Sequence, residues 1–306
     1  MKLPLVFQNW VRILACALVG AAMLSGTSGR AMAANVLYAT GTGTSGTLSA
    51  LYSINPATGA ATLLFGIPSI HIYGGGLAYD AASDSLFATG ADDSSREALY
   101  RIDRFAGTAS LVGFTGVPAV LSQGGASINP LTGVLYAVGS NAGPNSGFYS
   151  IDKTTGAATH IGQASGPFTG LYGLGFRQDG ALFANGFDET AGSKLFSVDP
   201  ASGASALIGA HGDTFGRQLE YSGLAFGNDG TLYSLGSISG SESGLYSVNP
   251  LTGNATPIGS TVLQFGVDGG LAFAPGTPVP EPSSFAGLVI AALDLLRRSK
   301  RRHARK

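Results

Sequence analysis

The 306-residue chain carries 47 glycines, 14 prolines and only 11% charged residues, against about 25% in an average soluble domain. A hydrophobic share of 44% argues against disorder, and glycine without a three-residue period excludes collagen. The net charge of −1 hides an uneven distribution: residues 34–284 hold seven basic against 17 acidic side chains, a body near −10 that lacks the positive footprint nucleic acid needs.

Residues 1–33 read as a secretory signal peptide, expected to be helical. Lys2 and Arg12 give the positive flank, ILACALVGAAMLSG (13–26) the apolar core, and Ala31 and Ala33 the small residues for signal peptidase, with the cut after Ala33. At about 1.5 Å per residue this core covers about 21 Å of a roughly 30 Å bilayer interior. The only cysteine, Cys16, lies inside it, so the mature chain is expected to have no disulfide or thiolate chemistry.

From 34 to 276 four short motifs recur in fixed order, five times, with a step of about 48 residues. One is Gly-Leu-Ala-aromatic, starting at Gly76, Gly223 and Gly270, with looser copies at Gly125 and Gly173. A second is Leu-aromatic, at Leu37-Tyr38, Leu86-Phe87, Leu135-Tyr136, Leu182-Phe183 and Leu232-Tyr233. A third runs through Tyr52, Tyr100, Tyr149, Phe196 and Tyr246, and a fourth begins at Gly59, Gly107, Gly156, Gly203 and Gly253. Each is short, rich in aromatic and β-branched residues and bounded by Gly, Asn, Asp or Pro, which is strand chemistry. Turns such as Asn55-Pro56-Ala57-Thr58-Gly59 and Asn249-Pro250-Leu251-Thr252-Gly253 join the third and fourth motifs.

Four antiparallel strands per unit and five units predict an all-β, five-bladed β-propeller over 34–276. The first unit lacks Gly-Leu-Ala-aromatic, and the chain's last repeat element supplies it. Residues 270–275 are therefore expected to join residues 36–65 as the inner strand and close the ring.

No metal or cofactor is expected: the chain has no His-x-x-x-His, no Glu-x-x-His and no Gly-x-Ser-x-Gly. His160 replaces an outer-strand leucine and reads as structural. Asp103, Asp152 and Asp199 share a turn position with Asn55 and Asn249, so they read as turn formers. The loops joining outer to inner strands (66–75, 113–124, 162–172, 209–222 and 259–269) differ between units. They carry the candidate ligand residues His71, Tyr73, Gln123, Tyr172, His211, Asp213, Arg217, Glu220, Tyr221 and Asp268. Aromatic rings beside amides and carboxylates suit a sugar or a peptide.

The chain ends with a linker (277–284) containing Val279-Pro280-Glu281-Pro282-Ser283-Ser284. An apolar segment (285–296) follows, with Phe285, Leu288, Val289, Ile290, Leu293, Leu295 and Leu296, then a basic tail (297–306) opening on Arg297 and Arg298. A short helix is expected over the apolar segment. This order resembles the PEP-CTERM sorting signal of Gram-negative bacteria over about 28 residues, with Asp294 departing from the apolar pattern. The resemblance implies export, transient retention in the inner membrane, processing by an exosortase, and a final place on the cell surface or in an exopolysaccharide matrix. A basic tail left in the cytoplasm agrees with the positive-inside rule.

Two functions fit. One is a non-catalytic surface module that contacts exopolysaccharide or an envelope protein. The other is an envelope enzyme, a glycan lyase, hydrolase or lactonase, with His211, Asp213 and Glu220 on the rim.

Overall fold

A computed structural model describes residues 34–42, 49–68, 70–72, 76–140, 146–163, 170–187, 193–212, 223–239, 242–261 and 269–276. The expected signal, linker, apolar and tail segments, and their helices, lie outside the described residues.

In chain order the strands are β1 (Asn35–Thr42), β2 (Ser49–Ile54), β3 (Ala61–Ile67), β4 (Ile70–His71), β5 (Leu77–Asp80), β6 (Ser85–Asp92), β7 (Glu97–Asp103) and β8 (Thr108–Phe114). Next come β9 (Ala126–Ile128), β10 (Leu135–Ser140), β11 (Ser146–Ile151), β12 (Ala158–Gln163), β13 (Gly170–Phe176) and β14 (Leu182–Phe187). The last are β15 (Ser193–Val198), β16 (Ser205–Ala210), β17 (Leu224–Phe226), β18 (Leu232–Ser239), β19 (Glu242–Val248), β20 (Ala255–Ser260) and β21 (Leu271–Pro275).

They form five antiparallel sheets, the blades of a propeller. Blade 1 has the order β21-β1-β2-β3, so the last strand of the ring lies innermost beside the first, with Asn35 opposite Pro275 and Ala39 opposite Leu271. Blades 3, 4 and 5 use β9–β12, β13–β16 and β17–β20. Blade 2 differs from the expected four strands: β4 and β5 both pair with β6, dividing the inner position between them. Blade 3 shows the same division as a lone bridge, Val120 to Ser140, above β9. In blade 4 one continuous strand, β13, spans both parts and absorbs the change with a bulge at Tyr172.

The inner strands β21, β5, β9, β13 and β17 pack each on the next, and β17 packs on β21. The ring therefore closes and its inner edges are covered. A Cβ at Gly76 would overlap Ala126 of the next inner strand, one at Gly125 would overlap Gly173–Leu174, and one at Gly223 would overlap Gly269–Leu271. The glycine of the first motif is thus required by backbone contact around the axis.

The core lies between blades. Strand alternation sends Leu37 and Ala39 toward blade 5, with Leu235 and Leu245, and Tyr38 toward blade 2, with Leu86 and Tyr100. Three further clusters fill the remaining junctions. Each third-to-fourth strand pair carries a bulge before its motif aromatic, as between Leu51 and Tyr52. The register puts His160 opposite Tyr149, the place taken by Leu63 opposite Tyr52 and Leu207 opposite Phe196. Its ring meets Tyr149 edge-on at 5.2 Å. The Asx turns form as expected: Asn55 Oδ1 accepts the Ala57 N–H (2.9 Å), and Asp103, Asp152, Asp199 and Asn249 accept equivalent bonds.

Gly125→Ala is expected to lower stability by about 1–3 kcal/mol, because the inner strands cannot separate without opening the ring. Gly66→Ala, where an added Cβ meets nothing within 4 Å, should leave it unchanged. Urea unfolding midpoints of the two variants check both.

Candidate functional site

The antiparallel order sends the second-to-third hairpins and the outer-to-inner loops to one end of the blades, the rim face. Of the predicted rim residues, the structure describes four. His71 sits in β4, half-buried, with Nε2 3.2 Å from Asp93 Oδ1. Gln123 is exposed in a one-turn 3-10 helix, Leu121–Gln123. Tyr172 lies within β13 and not in a loop. Tyr73, Asp213, Arg217, Glu220, Tyr221 and Asp268 lie outside the described residues.

His211 is a correction. It is 3% exposed and bonded on both ring nitrogens, Nδ1 to the Gly253 carbonyl (2.8 Å) and Nε2 to the Asn185 side chain (2.9 Å). It takes the strand-end place held by Thr115 and Thr261, whose backbones make the same bonds between blades. Asn185 in turn lies 3.0 Å from Ser234 Oγ of blade 5. Burial pushes the imidazole down to about 4, so the ring is neutral. Asn185 Oδ1 faces Nε2, its Nδ2 donates to Ser234 Oγ (3.0 Å), and the Ser234 hydroxyl donates to the Leu235 carbonyl (3.1 Å). A ring enclosed in this way joins blades 4 and 5 and is not available as a rim acid or base.

A recess of about 480 Å³ opens on the rim face in blade 2, a size usual for small-molecule sites. Arg96 and Phe114 form one wall, the guanidinium 4.0 Å from the ring centroid. Arg96 is also paired with Asp92 at 2.7 Å, and bonds from the Arg96 backbone and side chain hold that carboxyl below its usual range. Glu97 lies behind them. Its carboxylate accepts the Ser122 N–H (2.7 Å) and hydroxyl (2.8 Å), while burial pushes its pKa up. Glu97 fills a slot that is serine elsewhere: Ser49 and Ser146 each accept a backbone N–H from the following blade, from Ile72 and Leu171. The carboxylate's greater reach explains why it also fixes the 3-10 turn and shapes the recess. Sequence reasoning missed Glu97 and Asn185. Their signal was a departure from the repeat, Glu among serines and Asn where other units have Thr40, Thr89, Val138 and Leu235.

No family model matches the chain, and no curated protein matches it. Among solved structures it is similar to an engineered GH43 glycoside hydrolase with endo-xylanase and exo-arabinofuranosidase activity, at 10% identity and a TM-score of 0.51. That match covers 68% of this chain and 46% of the hydrolase. It is also similar to TolB from Acinetobacter baumannii (11% identity, TM-score 0.46, 78% of this chain and 57% of that one). A third is putative TolB from Agrobacterium tumefaciens (12% identity, TM-score 0.49, 80% and 95%). The chain thus spans about half the length of the first two. Identities this low bear on the fold alone, and the fold is a five-bladed β-propeller.

The neutral form of His211 stabilises the fold fully above pH 6.5, and that contribution is lost as pH falls from 6.5 toward 4. About 3 kcal/mol should disappear over that window. His211→Thr, the residue of blades 2 and 5, should remove this part of the slope in urea unfolding measured from pH 7 to pH 4. An unchanged slope would contradict the buried neutral ring.

Proposed function

We propose that the protein is exported and processed by an exosortase, and that its propeller serves as a non-catalytic binding and structural module at the cell surface, with exopolysaccharide as the favoured partner. The observation that carries this reading is the run from Val279 to Lys306, with its Pro-Glu-Pro motif, apolar segment and basic tail in that order. Among the described residues no helix is long and apolar enough to cross a membrane. Retention in the inner membrane is assigned to the apolar segment 285–296 on its sequence, after cleavage of 1–33 by signal peptidase.

The ring supports a display role. Asn35 and Pro275 are paired neighbours, so the chain enters and leaves the propeller side by side at the end opposite the rim loops. Among the described residues several carboxylates are tied to structure: Asp80 pairs with Lys153, Asp84 with Arg104, Asp92 with Arg96, and Asp179 with Arg177. Asp103, Asp152 and Asp199 hold turns.

Deleting Val279–Lys306 should send the propeller into the medium as soluble protein, read by immunoblotting of cell and culture fractions. A truncated chain that still stays on the cell surface would overturn the sorting reading.

A further inference from the structure

The five blade junctions are not closed alike at the end where the inner hairpins turn. At junction 1–2, Arg104 from the Asx turn of blade 2 reaches across. Its side chain is 2% exposed, donates to the Pro275 carbonyl (3.2 Å) and Asp84 carbonyl (3.0 Å), and pairs with the Asp84 carboxylate at 2.6 Å. At junction 2–3, Lys153, the same turn position in blade 3, reaches the buried Asp80 at 2.9 Å. At junction 3–4 the Leu131 side chain lies on Gly180. At junction 4–5 the turn position is Pro250, which has no reach, and the hairpin of blade 5 is Gly227-Asn228-Asp229-Gly230. An added Cβ at Gly230 would meet nothing within 4 Å. The result is an open cleft of about 220 Å³, below the roughly 300 Å³ at which drug-sized sites begin.

The half-buried Phe226 lines this cleft, packed on Phe183 at 5.3 Å between centroids. Arg177, Gln178 and Asp179 line one side, and Asn228 the other. Arg177 is locked to Asp179 by Nε (3.0 Å to each carboxylate oxygen) and Nη2 (2.7 Å), and its guanidinium lies 5.5 Å from the Phe183 ring. The pair supplies hydrogen-bonding edges with no net charge. Gln178 and Asn228 are exposed side-chain amides that carry both donors and acceptors. An apolar aromatic surface flanked by planar polar groups of balanced charge matches the two sides of a sugar ring, one of C–H groups and one of hydroxyls.

We propose that the cleft between the inner hairpins of blades 4 and 5 binds one neutral pyranose unit, with its C–H face toward Phe226 and its hydroxyls bonded by Asp179, Gln178 and Asn228. The site lies at the end opposite the rim. It deepens the exopolysaccharide reading by naming a neutral hexose as the recognised unit, and so rests in part on that reading.

The test is saturation-transfer NMR on the purified full chain with the methyl glycosides of D-glucose, D-galactose and D-mannose at millimolar concentration. Transfer to at least one glycoside is expected. It should weaken at least fivefold in Gln178→Ala/Asn228→Ala, and it should be lost in Asn228→Trp, which fills the cleft. Both variants change exposed turn residues, and unchanged urea midpoints would show that they fold. Leu251→Ala, in the exposed outer turn of blade 5, is the control and should have no effect, and Arg96→Ala reports on binding at the rim. Absence of transfer to all three glycosides would overturn the proposal, as would undiminished transfer in the double variant. If transfer fell only in Arg96→Ala, the sugar would sit on the rim: the cleft would be refuted while the surface-module reading stood.

Discussion

Everything in this fold depends on the pairing of its first and last strands. β21 lies on β1 over five residue pairs. Thr40 tightens the far end: its N–H and carbonyl bond Gly270 and Gly269, and its Oγ1 accepts the Gly270 N–H at 2.8 Å in a buried site. Arg104 grips the other end through the Pro275 carbonyl. Without β21, blade 1 would expose the inner edge of β1, and the junction clusters that use Leu271, Ala272 and Ala274 would lose a wall. The cost of bringing together segments more than 200 residues apart grows only slowly with loop length, so a modest set of local bonds can hold the closure.

The remaining architecture is one junction used five times with graded departures. At three outer junctions a strand glycine abuts the next blade's turn backbone, as Gly113 does Thr155, Gly162 does Ser202 and Gly209 does Thr252; Gly259 does the same to Thr58 across the closing point. Junction 1–2 is the exception. There Phe65 takes the register place of the glycine and packs on Gly107, and Gly66 beside it faces open space. The lost backbone contact coincides with Arg104, whose guanidinium also lies 4.2 Å from the Phe105 ring. Junction 4–5 keeps the glycine contact and adds a buried polar set, Asn185, His211 and Ser234. Charge in the ring is sparse because interblade contact is made by apolar clusters, by backbone and by glycine, and the few basic side chains described are largely structural ties.

The repeat made the blades, the Asx turns and the closing strand legible, because each motif recurs at a fixed step and blade 1 lacks one copy. The bulge before Tyr52 and its four counterparts was not legible, since one extra outer-strand residue leaves the motif spacing intact. Nor was the splitting of the inner strand in blade 2, which depends on pairing with both halves of β6. His211 was misplaced because the loop was drawn from Gly209. β16 runs through Ala210, and the next residue is drawn into the junction by the backbone bonds that Thr115 and Thr261 also make. Arg104 and Lys153 stand where other turns have proline, and only the ring's geometry brings them to Asp84 and Asp80.

The closed ring brings Asn35 and Pro275 together as paired neighbours, so entry to and exit from the propeller are adjacent. Closure by β21 is expected to be as strong as the ring itself. Native-state amide exchange tests it most directly: the Thr40 amide, bonded to Gly270 across the closing point, should exchange only through global unfolding, with the same free energy as the central strand β14. Exchange of Thr40 by a local opening many times faster than that of β14 would show an open ring whose ends merely touch.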